Sequence, residues 1–269
     1  MRSKIIFLTI ITSFLFGSLL QAQNFTKQER KTAPFDAIHV NCSADVYLTQ
    51  GNNQSVVVET ENSNQDRIIT EVNGSTLVIR TEHMTNIFTK RLRVYVETPQ
   101  IKSLAINGSG DIHVSSIRGE NLTIAIKGSG DIDAGSLQLD NLTANIMGSG
   151  DLNLSGKITT LKLSIRGSGD TRINNLESNE AHFIAQGSGD VLISGKANQA
   201  TILLQGSGDL KGPLFFVSKA VVNQLGSGDI HMNVRDALTL TIKGSGDFYL
   251  GGNPKVINTN IRGSGELHR

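Results

Sequence analysis

The sequence predicts an all-β protein whose chain winds as a single-stranded parallel β-helix of 18 to 20 residues per coil. Three observations support this prediction. A Gly-Ser-Gly motif followed by an acidic residue occurs nine times at that spacing, and a near-constant period is typical of stacked repeats. Apolar and polar residues alternate between the motifs, as in strands with one buried face. Glycine is abundant, with 28 residues, whereas proline, with 4, is scarce.

The glycine-rich motif is expected to form one corner of each coil. A sharp turn needs a positive φ angle, which glycine adopts without steric cost, and the missing Cβ allows successive turns to lie close together. We therefore interpret the motif glycines as structural turn residues. They are Gly108, Gly110, Gly128, Gly130, Gly148, Gly150, Gly167, Gly169, Gly187, Gly189, Gly206, Gly208, Gly226, Gly228, Gly244, Gly246, Gly263 and Gly265.

The residues between the motifs indicate two short strands per unit. In the first unit, Ile112 and Val114 alternate with polar residues, and Leu122 and Ile124 do so after the polar stretch 118–121. Each strand thus has one apolar face, and the polar stretch is expected to form a second corner.

Two architectures fit this pattern, a solenoid and an antiparallel meander. Equivalent residues stack about 4.8 Å apart in a solenoid, whereas the same turns lie about 9.6 Å apart along one edge of a meander. Only in the close stack do nearly identical side chains at every turn contact one another, so the uniform repeat favours the solenoid.

Five apolar residues are expected to face inward near the corner: Ile112, Ile132, Leu152, Ile173 and Ile193. Thr171 and Val191 precede the last two of these residues. The inward positions are therefore expected to shift by two residues between the early and the late coils.

The acidic residues of the motif are expected to form a column along the rod. Neighbouring carboxylates about 4.8 Å apart repel one another by about 0.9 kcal/mol even in water, so backbone amides, hydroxyls or cations must compensate. A calcium ladder is the alternative to a purely structural column. Ca²⁺ needs six to eight oxygen ligands, and the motif departs from the longer repeat of calcium-binding β-rolls, which favours the structural interpretation. The column consists of Asp111, Asp131, Asp151, Asp170, Asp190, Asp209, Asp229, Asp247 and Glu266.

The chain divides into four parts. Residues 1–22 have the basic start and apolar run of a secretory signal peptide, so the protein is expected to be exported, with no membrane span after the signal is removed. Residues 23–32 are polar and are predicted to be a flexible leader. Residues 33–106 are predicted to form irregular coils and a cap, with a hairpin at Asn73-Gly74. Residues 107–269 form the regular repeat, continuous with the preceding part.

Cys42 is the only cysteine. No intramolecular disulfide can form, so packing and hydrogen bonds must hold the fold. The alternation of Cys42 with Ile38 and Val40 predicts an inward position on a strand.

Composition and motifs point away from nucleic-acid binding and from catalysis. The net charge is +1, which gives no electrostatic reason to expect a nucleic-acid partner. The six histidines lack metal-ligand spacing, and the sequence contains no Gly-x-Ser-x-Gly nucleophile elbow. No catalytic residue, cofactor or resident metal is therefore predicted.

Several segments resemble one bacterial family. They are the strand start Phe35-Asp36-Ala37-Ile38, the stretch Val46-Tyr47-Leu48-Thr49-Gln50-Gly51, the stretch Val94-Tyr95-Val96-Glu97-Thr98-Pro99 and the serial Gly-Ser-Gly-Asp motifs. From about residue 33 to its end, the chain is similar to the family described as putative auto-transporter adhesin, head GIN domain. The resemblance implies a pectin-lyase-like β-helix, expected to be right-handed. It also implies export to the periplasm or cell surface of a Gram-negative bacterium, and an adhesive role.

Two functions remain open at this point. The first is a non-catalytic exported binding module, similar to an adhesin head, that contacts an unknown protein or polysaccharide. The alternative is a polysaccharide-binding or polysaccharide-degrading β-helix, which a groove with convergent carboxylates and a cation would favour. No cap is evident after the last coil, so we also expect this coil to fray or to pack in a homo-oligomer such as a trimer.

Overall fold

The computed structural model describes residues 25–82 and 91–269. Strands dominate this part of the chain, and the strands of the repeat pair in parallel with one another. The protein is a β-solenoid of about eight turns, which confirms the predicted fold class. The predicted signal peptide, residues 1–22, lies outside the described residues. Within them, no helix is both long and apolar enough to cross a membrane.

Each regular unit forms one long strand rather than the two short strands predicted. These strands contain 13 to 15 residues. They are β9 (Ile112–Ile126), β10 (Ile132–Ile146), β11 (Leu152–Ile165), β12 (Thr171–Ala185), β13 (Val191–Leu204), β14 (Leu210–Gln224) and β15 (Ile230–Ile242). The final coil is divided into β16 (Phe248–Gly251), β17 (Val256–Ile261) and β18 (Leu267–His268).

The strands stay continuous because pairing extends through the polar stretch of each unit. Gly119 is paired with Leu139, and Asn121 with Asn141, although these positions lie between the two predicted strands. A parallel neighbour satisfies the backbone groups there, so the chain bends without leaving the ladder.

Burial divides each strand into three faces. In β9, Ile112 and Val114 point inward on the first face, Ile117 on the middle face, and Leu122 and Ile124 on the third face. Exposed residues separate these groups, so each coil has three sides. The sequence pattern alone does not reveal the middle face, because its one or two inward residues interrupt the period of two.

The predicted inward residues line the core. All five are buried: Ile112, Ile132, Leu152, Ile173 and Ile193. The shift of two positions is confirmed, because Leu152 is paired with Thr171, whereas Ile173 is paired with Leu154. Thr171 therefore carries its hydroxyl into the core, where Oγ1 has no hydrogen-bond partner among the described residues.

The Gly-Ser-Gly corners stack in one column, as predicted. The N–H of Ser129 donates to the carbonyl oxygen of Gly108 at 3.0 Å, and this bond recurs from coil to coil. From Gly128 onward, a Cβ built on any motif glycine would lie within 2.3 Å of the glycine carbonyl oxygen in the preceding coil. No side chain fits at such a distance, so both glycine positions of the motif are required.

The expectation that these corners need a positive φ was wrong. Among the motif glycines only Gly263 has a positive φ, at 150°. The close approach of neighbouring coils, and not a left-handed turn, excludes side chains from the corner.

Residues 25–106 extend the solenoid and cover its first coil. Their strands are β1 (Phe25–Glu29), β2 (Ala37–Val40), β3 (Asp45–Gln50), β4 (Ser55–Glu61), β5 (Ile68–Asn73), β6 (Thr76–Thr81), β7 (Arg93–Thr98) and β8 (Ser103–Ile106), with a 3-10 helix at Asn62–Arg67. Strand β3 lies between β7 and β9, and β2 lies between β6 and β8, in parallel pairs. Strands β5 and β6 form the predicted hairpin, with Gly74 at a φ of 64°.

Residues 23–32 are predicted to be a flexible leader, but the structure, which describes residues 25–32 of this range, shows a strand there. Residues 25–29 form β1, which is antiparallel to β4, and the Gln65 amide donates to the carbonyl oxygen of Thr26 at 2.7 Å. The edge of β4 offers backbone groups that need partners, and a polar strand satisfies them as well as an apolar one.

Cys42 lies in a corner and not on a strand, which corrects its predicted position. It is half-buried, and its carbonyl oxygen accepts from the N–H of Gly110 at 3.1 Å. Residues 42–45 thus form the first member of the corner column. A cysteine fits there because the neighbour on this side is the end of β6 and not a Gly-Ser-Gly corner. Its Sγ lies 3.8 Å from the Ile79 carbonyl oxygen. Burial raises the pKa of the thiol.

Gly187→Ala tests the corner constraint. The new Cβ would collide with the carbonyl oxygen of Gly167, so we expect a loss of about 1–3 kcal/mol in the free energy of unfolding. The matched control is Gly119→Ala, where a Cβ meets only a Leu139 methyl group at 4.0 Å. Denaturant unfolding followed by circular dichroism measures both variants. Equal unfolding midpoints for the two would contradict the constraint.

Ile124→Asp tests the burial of the third face. Ile124 is fully buried, so the variant places an uncompensated charge in the core and is expected to lose roughly 3–5 kcal/mol. Thr123→Asp, at the adjacent exposed position, is expected to melt like the parent. A cooperative thermal transition of Ile124→Asp near the parent temperature would show that this side chain is not in a dry core.

Candidate functional site

The acidic column lies beside the glycine corners and joins neighbouring coils. In each coil, the backbone N–H of the acidic residue donates to Oδ1 of the aspartate one coil earlier, at 2.7 to 2.9 Å. The acceptors are Asp111, Asp131, Asp151, Asp170, Asp190, Asp209, Asp229 and Asp247, and Glu266 is the last donor. One oxygen of every aspartate is therefore committed to the backbone of the next coil.

One cation also offsets part of the charge of this column. The ammonium of Lys211 lies 2.5 Å from the Asp190 carboxylate and 3.3 Å from that of Asp209. At the last corner, a hydrogen bond of 3.1 Å joins His268 Nε2 to the Asp247 carboxylate. Burial alone would raise the pKa of Asp190, but the Asp209 amide and the Lys211 ammonium hold that pKa below its ordinary value. The amides along the column, together with the Lys211 ammonium at Asp190 and Asp209, thus provide compensation that closely spaced carboxylates need.

The geometry supports a structural role for the acidic column. Within residues 25–82 and 91–269, no group of three or more His, Cys, Asp or Glu side chains is placed to hold a metal ion. Each corner contributes a single carboxylate, and one oxygen of each aspartate already accepts from an amide, whereas Ca²⁺ needs six to eight oxygen ligands.

Several histidines lie in ring stacks between coils. His113 stacks on Tyr47, with ring centroids 5.0 Å apart. Tyr249 lies between His231 and His268, with centroid separations of 4.2 and 4.7 Å. Cross-strand ring pairs of this kind stabilise sheets, so these side chains contribute to packing.

A groove that the sequence analysis did not predict runs along the middle face. Its base contains outward side chains that stack because their strands pair in register. We call these residues the groove column. It consists of Arg118, Gln138, Lys157, Glu177, Lys196, Phe216 and Asn233.

A second row of side chains forms one wall of the groove, two residues further along each strand. The row consists of Asp140, Thr159, Asn179, Asn198, Ser218 and Arg235. Its members contact one another: Asn198 donates to Asn179 at 2.9 Å, and Arg235 donates to Ser218 at 2.8 Å. This wall therefore offers amides and hydroxyls in fixed positions.

The groove is continuous along much of the rod. One part, of about 800 Å³, extends from Lys157 to Asn253. A second part, of about 520 Å³, continues toward Arg118 and shares Lys157 and Thr159 with the first. Together they form a path long enough for an extended ligand.

An irregular coil gives the groove its apolar centre. The pairing of β14 with β15 is interrupted between Gly212 and Phe216, so residues 213–215 form a bulge without partners in β15. Phe215 turns into the core, where its ring meets Phe183 edge-on at 6.3 Å. Leu214 and Phe216 are left 64% and 55% exposed, and of the two only Phe216 lines the groove. Large apolar side chains at such exposure often mark contact surfaces.

The charges of the groove are mixed, with more cations than carboxylates. Its lining includes the cations Arg118, Lys157, Lys196 and Arg235 and the carboxylates Asp140 and Glu177. Lys196 lies 2.9 Å from Glu177 in an exposed ion pair. The hydrogen bond and charge of Lys196, together with the charge of Lys157, lower the pKa of Glu177, so this carboxyl group is ionised at neutral pH.

The sequence holds one signal that could have identified this region. Residues 210–217 break the alternation of the repeat and contain Pro213 and two adjacent phenylalanines. The groove column itself shares no residue type and is spread over intervals of 17 to 20 residues. Only the register of the coils brings its members together.

Solved structures of similar fold cover nearly the whole chain. A putative adhesin from Parabacteroides merdae has a TM-score of 0.71 at 15% identity, covering 92% of this chain and 98% of that chain. A putative lipid binding protein from Parabacteroides distasonis has a TM-score of 0.66 at 24% identity, covering 92% and 97%. A putative adhesin from Bacteroides fragilis has a TM-score of 0.55 at 19% identity, covering 92% and 97%. A search of curated proteins found no match.

Sequence comparison identifies the family. The family model described as putative auto-transporter adhesin, head GIN domain, matches residues 34–193 and 160–254. These residues include the N-terminal coils, most of the corner column and the whole groove column. The match confirms the resemblance seen in the sequence, and the chain belongs to the family of the putative auto-transporter adhesin, head GIN domain.

Proposed function

We propose that this protein is an exported, non-catalytic binding module that acts in adhesion at the surface of a Gram-negative bacterium, with the groove as its contact surface. One observation carries the proposal: the exposed side chain of Phe216 lies in a groove whose lining also includes cationic and amide side chains, on an otherwise regular rod. A rigid scaffold that presents an aromatic side chain with polar neighbours is typical of a binding site.

Two further observations support this function. The family description and the names of two similar solved structures refer to adhesins. The pattern of a secretory signal in residues 1–22 supports export. Cell fractionation with surface proteolysis distinguishes the cell surface from the periplasm, and light scattering of the exported protein tests the predicted homo-oligomer.

The alternative of a polysaccharide-degrading enzyme finds less support in the groove. General acid and base catalysis needs carboxylates that converge on one bond. Of the lining carboxylates, Asp140 belongs to one part of the groove and Glu177 to the other. Glu177 is also held in an ion pair with Lys196. The arrangement fits ligand binding better than bond cleavage.

Beads coated with the exported protein test the proposal on epithelial monolayers and on immobilised matrix proteins and polysaccharides. Phe216→Ser is expected to lower bead retention about fivefold or more, because it removes the apolar centre of the groove. Val221→Ser is the matched control, since Val221 is 46% exposed and lies outside the groove lining. Equal retention of both variants and the parent would contradict the groove as contact surface, and an absence of parent binding to every surface would contradict adhesion.

A further inference from the structure

We propose that the groove binds an extended acidic polysaccharide that lies along the axis of the rod and carries one acidic group per pair of sugars. This inference rests on the proposed function of the groove and names the chemistry of its ligand. Three features of the groove carry it: the spacing of its cations, its row of amides and its single exposed aromatic ring.

The cations of the groove lie on alternate coils. Arg118 and Lys157 are separated by the coil of Gln138, and Lys157 and Lys196 by the coil of Glu177. Since neighbouring coils are about 4.8 Å apart, successive cations are about 9.6 Å apart along the rod. Arg235 continues the series two coils beyond Lys196, on the adjacent wall. The positive charge therefore repeats with twice the period of the solenoid.

A ligand with the same charge period can contact all of these cations at once. An extended β-strand peptide presents side chains on one face about every 6.6–6.8 Å, which does not match. A nucleic-acid duplex carries a phosphate about every 3.4 Å on each strand, far more densely than the cations. Two sugar rings of an extended polysaccharide cover about the length of two coils, so one acidic group per sugar pair would meet each cation.

The amides and hydroxyls favour a sugar ligand over an acidic polyproline II peptide. Such a peptide repeats every three residues, about 9.3 Å, and would match the charge period. However, polyproline II ligands dock in grooves lined by several aromatic rings, and Phe216 is the only aromatic residue lining the described groove. Asn179 and Asn198 instead supply paired donors and acceptors, which suit the many hydroxyl groups of a polysaccharide.

Phe216 provides a surface for one sugar ring. It follows Lys196 in the groove column and precedes Asn233, so a sugar stacked on this ring would have a cation on one side and an amide on the other. The apolar face of a sugar packs on an aromatic ring, while its hydroxyl groups reach the polar neighbours.

The ion pairs within the groove do not block an acidic ligand. Lys196 and Glu177 are both more than half exposed, and exposed pairs of this kind contribute little stability. A ligand carboxylate or sulfate can therefore replace Glu177 as the partner of Lys196. Arg235 is paired with Asp236 at 2.9 Å, with the Arg235 side chain 75% exposed and that of Asp236 37% exposed.

Binding of the exported full-length protein to immobilised hyaluronan, which has one carboxylate per disaccharide, tests this inference. Neutral dextran and an acidic proline-rich peptide are the comparison probes. We expect binding to hyaluronan that weakens with salt, and a loss of about tenfold or more in affinity for the double variant Lys157→Glu, Lys196→Glu. The charge-matched control is Lys162→Glu, Lys243→Glu, at exposed positions outside the groove lining. Circular dichroism verifies that both variants fold.

The outcomes separate this inference from the proposed function. Absence of hyaluronan binding by the parent, equal binding to dextran, preference for the peptide, or equal loss in both double variants would overturn the inference. If Phe216→Ser still lowers bead retention while Val221→Ser does not in any of these cases, the groove remains the adhesive surface for another ligand. If immobilised hyaluronan binds through Lys157 and Lys196 but the beads adhere to no epithelial monolayer and to no matrix protein, the inference about the ligand holds and the proposed role in adhesion is wrong.

Discussion

The close approach of backbone to backbone at the glycine corner is the constraint on which the rest of the structure depends. A Cβ at Gly187 or its equivalents would collide with the carbonyl oxygen of the preceding corner, so the coils reach strand spacing only where both glycines are present. Once the corners stack, each acidic residue lies above the acidic residue of the preceding coil, and its backbone N–H donates to the carboxylate of that residue. The same register places apolar side chains above one another in the core, which gives a chain with a single cysteine a fold that needs no disulfide.

This register also explains how the protein can carry the proposed binding surface. Residues that hold the coils together are nearly identical in every unit, whereas the groove column differs from coil to coil. Because the corner and core fix the coils, the middle face can vary its outward side chains without loss of the fold. The bulge of β14 shows how far this freedom extends, since it buries Phe215 and exposes Phe216 within one strand. A rigid rod with a variable face can position cations, amides and an aromatic ring at fixed separations.

The repeat allowed the sequence to predict the corner, the parallel stacking and the inward residues, because each of these recurs in nearly identical form. Features without a repeat were missed. Strand continuity through positions 118–121 depends on pairing with a neighbouring coil, which local polarity does not reveal. Residues 25–29 form a strand because they pair with the edge of β4, which their polar sequence does not indicate. Cys42 lies in a corner that lacks the glycines of the motif. The groove was missed because its residues meet only through the register, although the irregular stretch 210–217 marks its centre.

The distance between two spin labels on the corner column tests the stacking most directly. Ser129 and Ser207 are exposed and lie four coils apart, and a Cys42→Ala background leaves them as the only labelled sites after their substitution by cysteine. Stacked coils predict a backbone separation of about 19 Å between the two positions, before the length of the labels is added. An antiparallel meander with the same turns would separate them by about 38 Å. A distance distribution measured by pulsed electron spin resonance and centred near the shorter value is the predicted result, and one centred near the longer value would contradict the account.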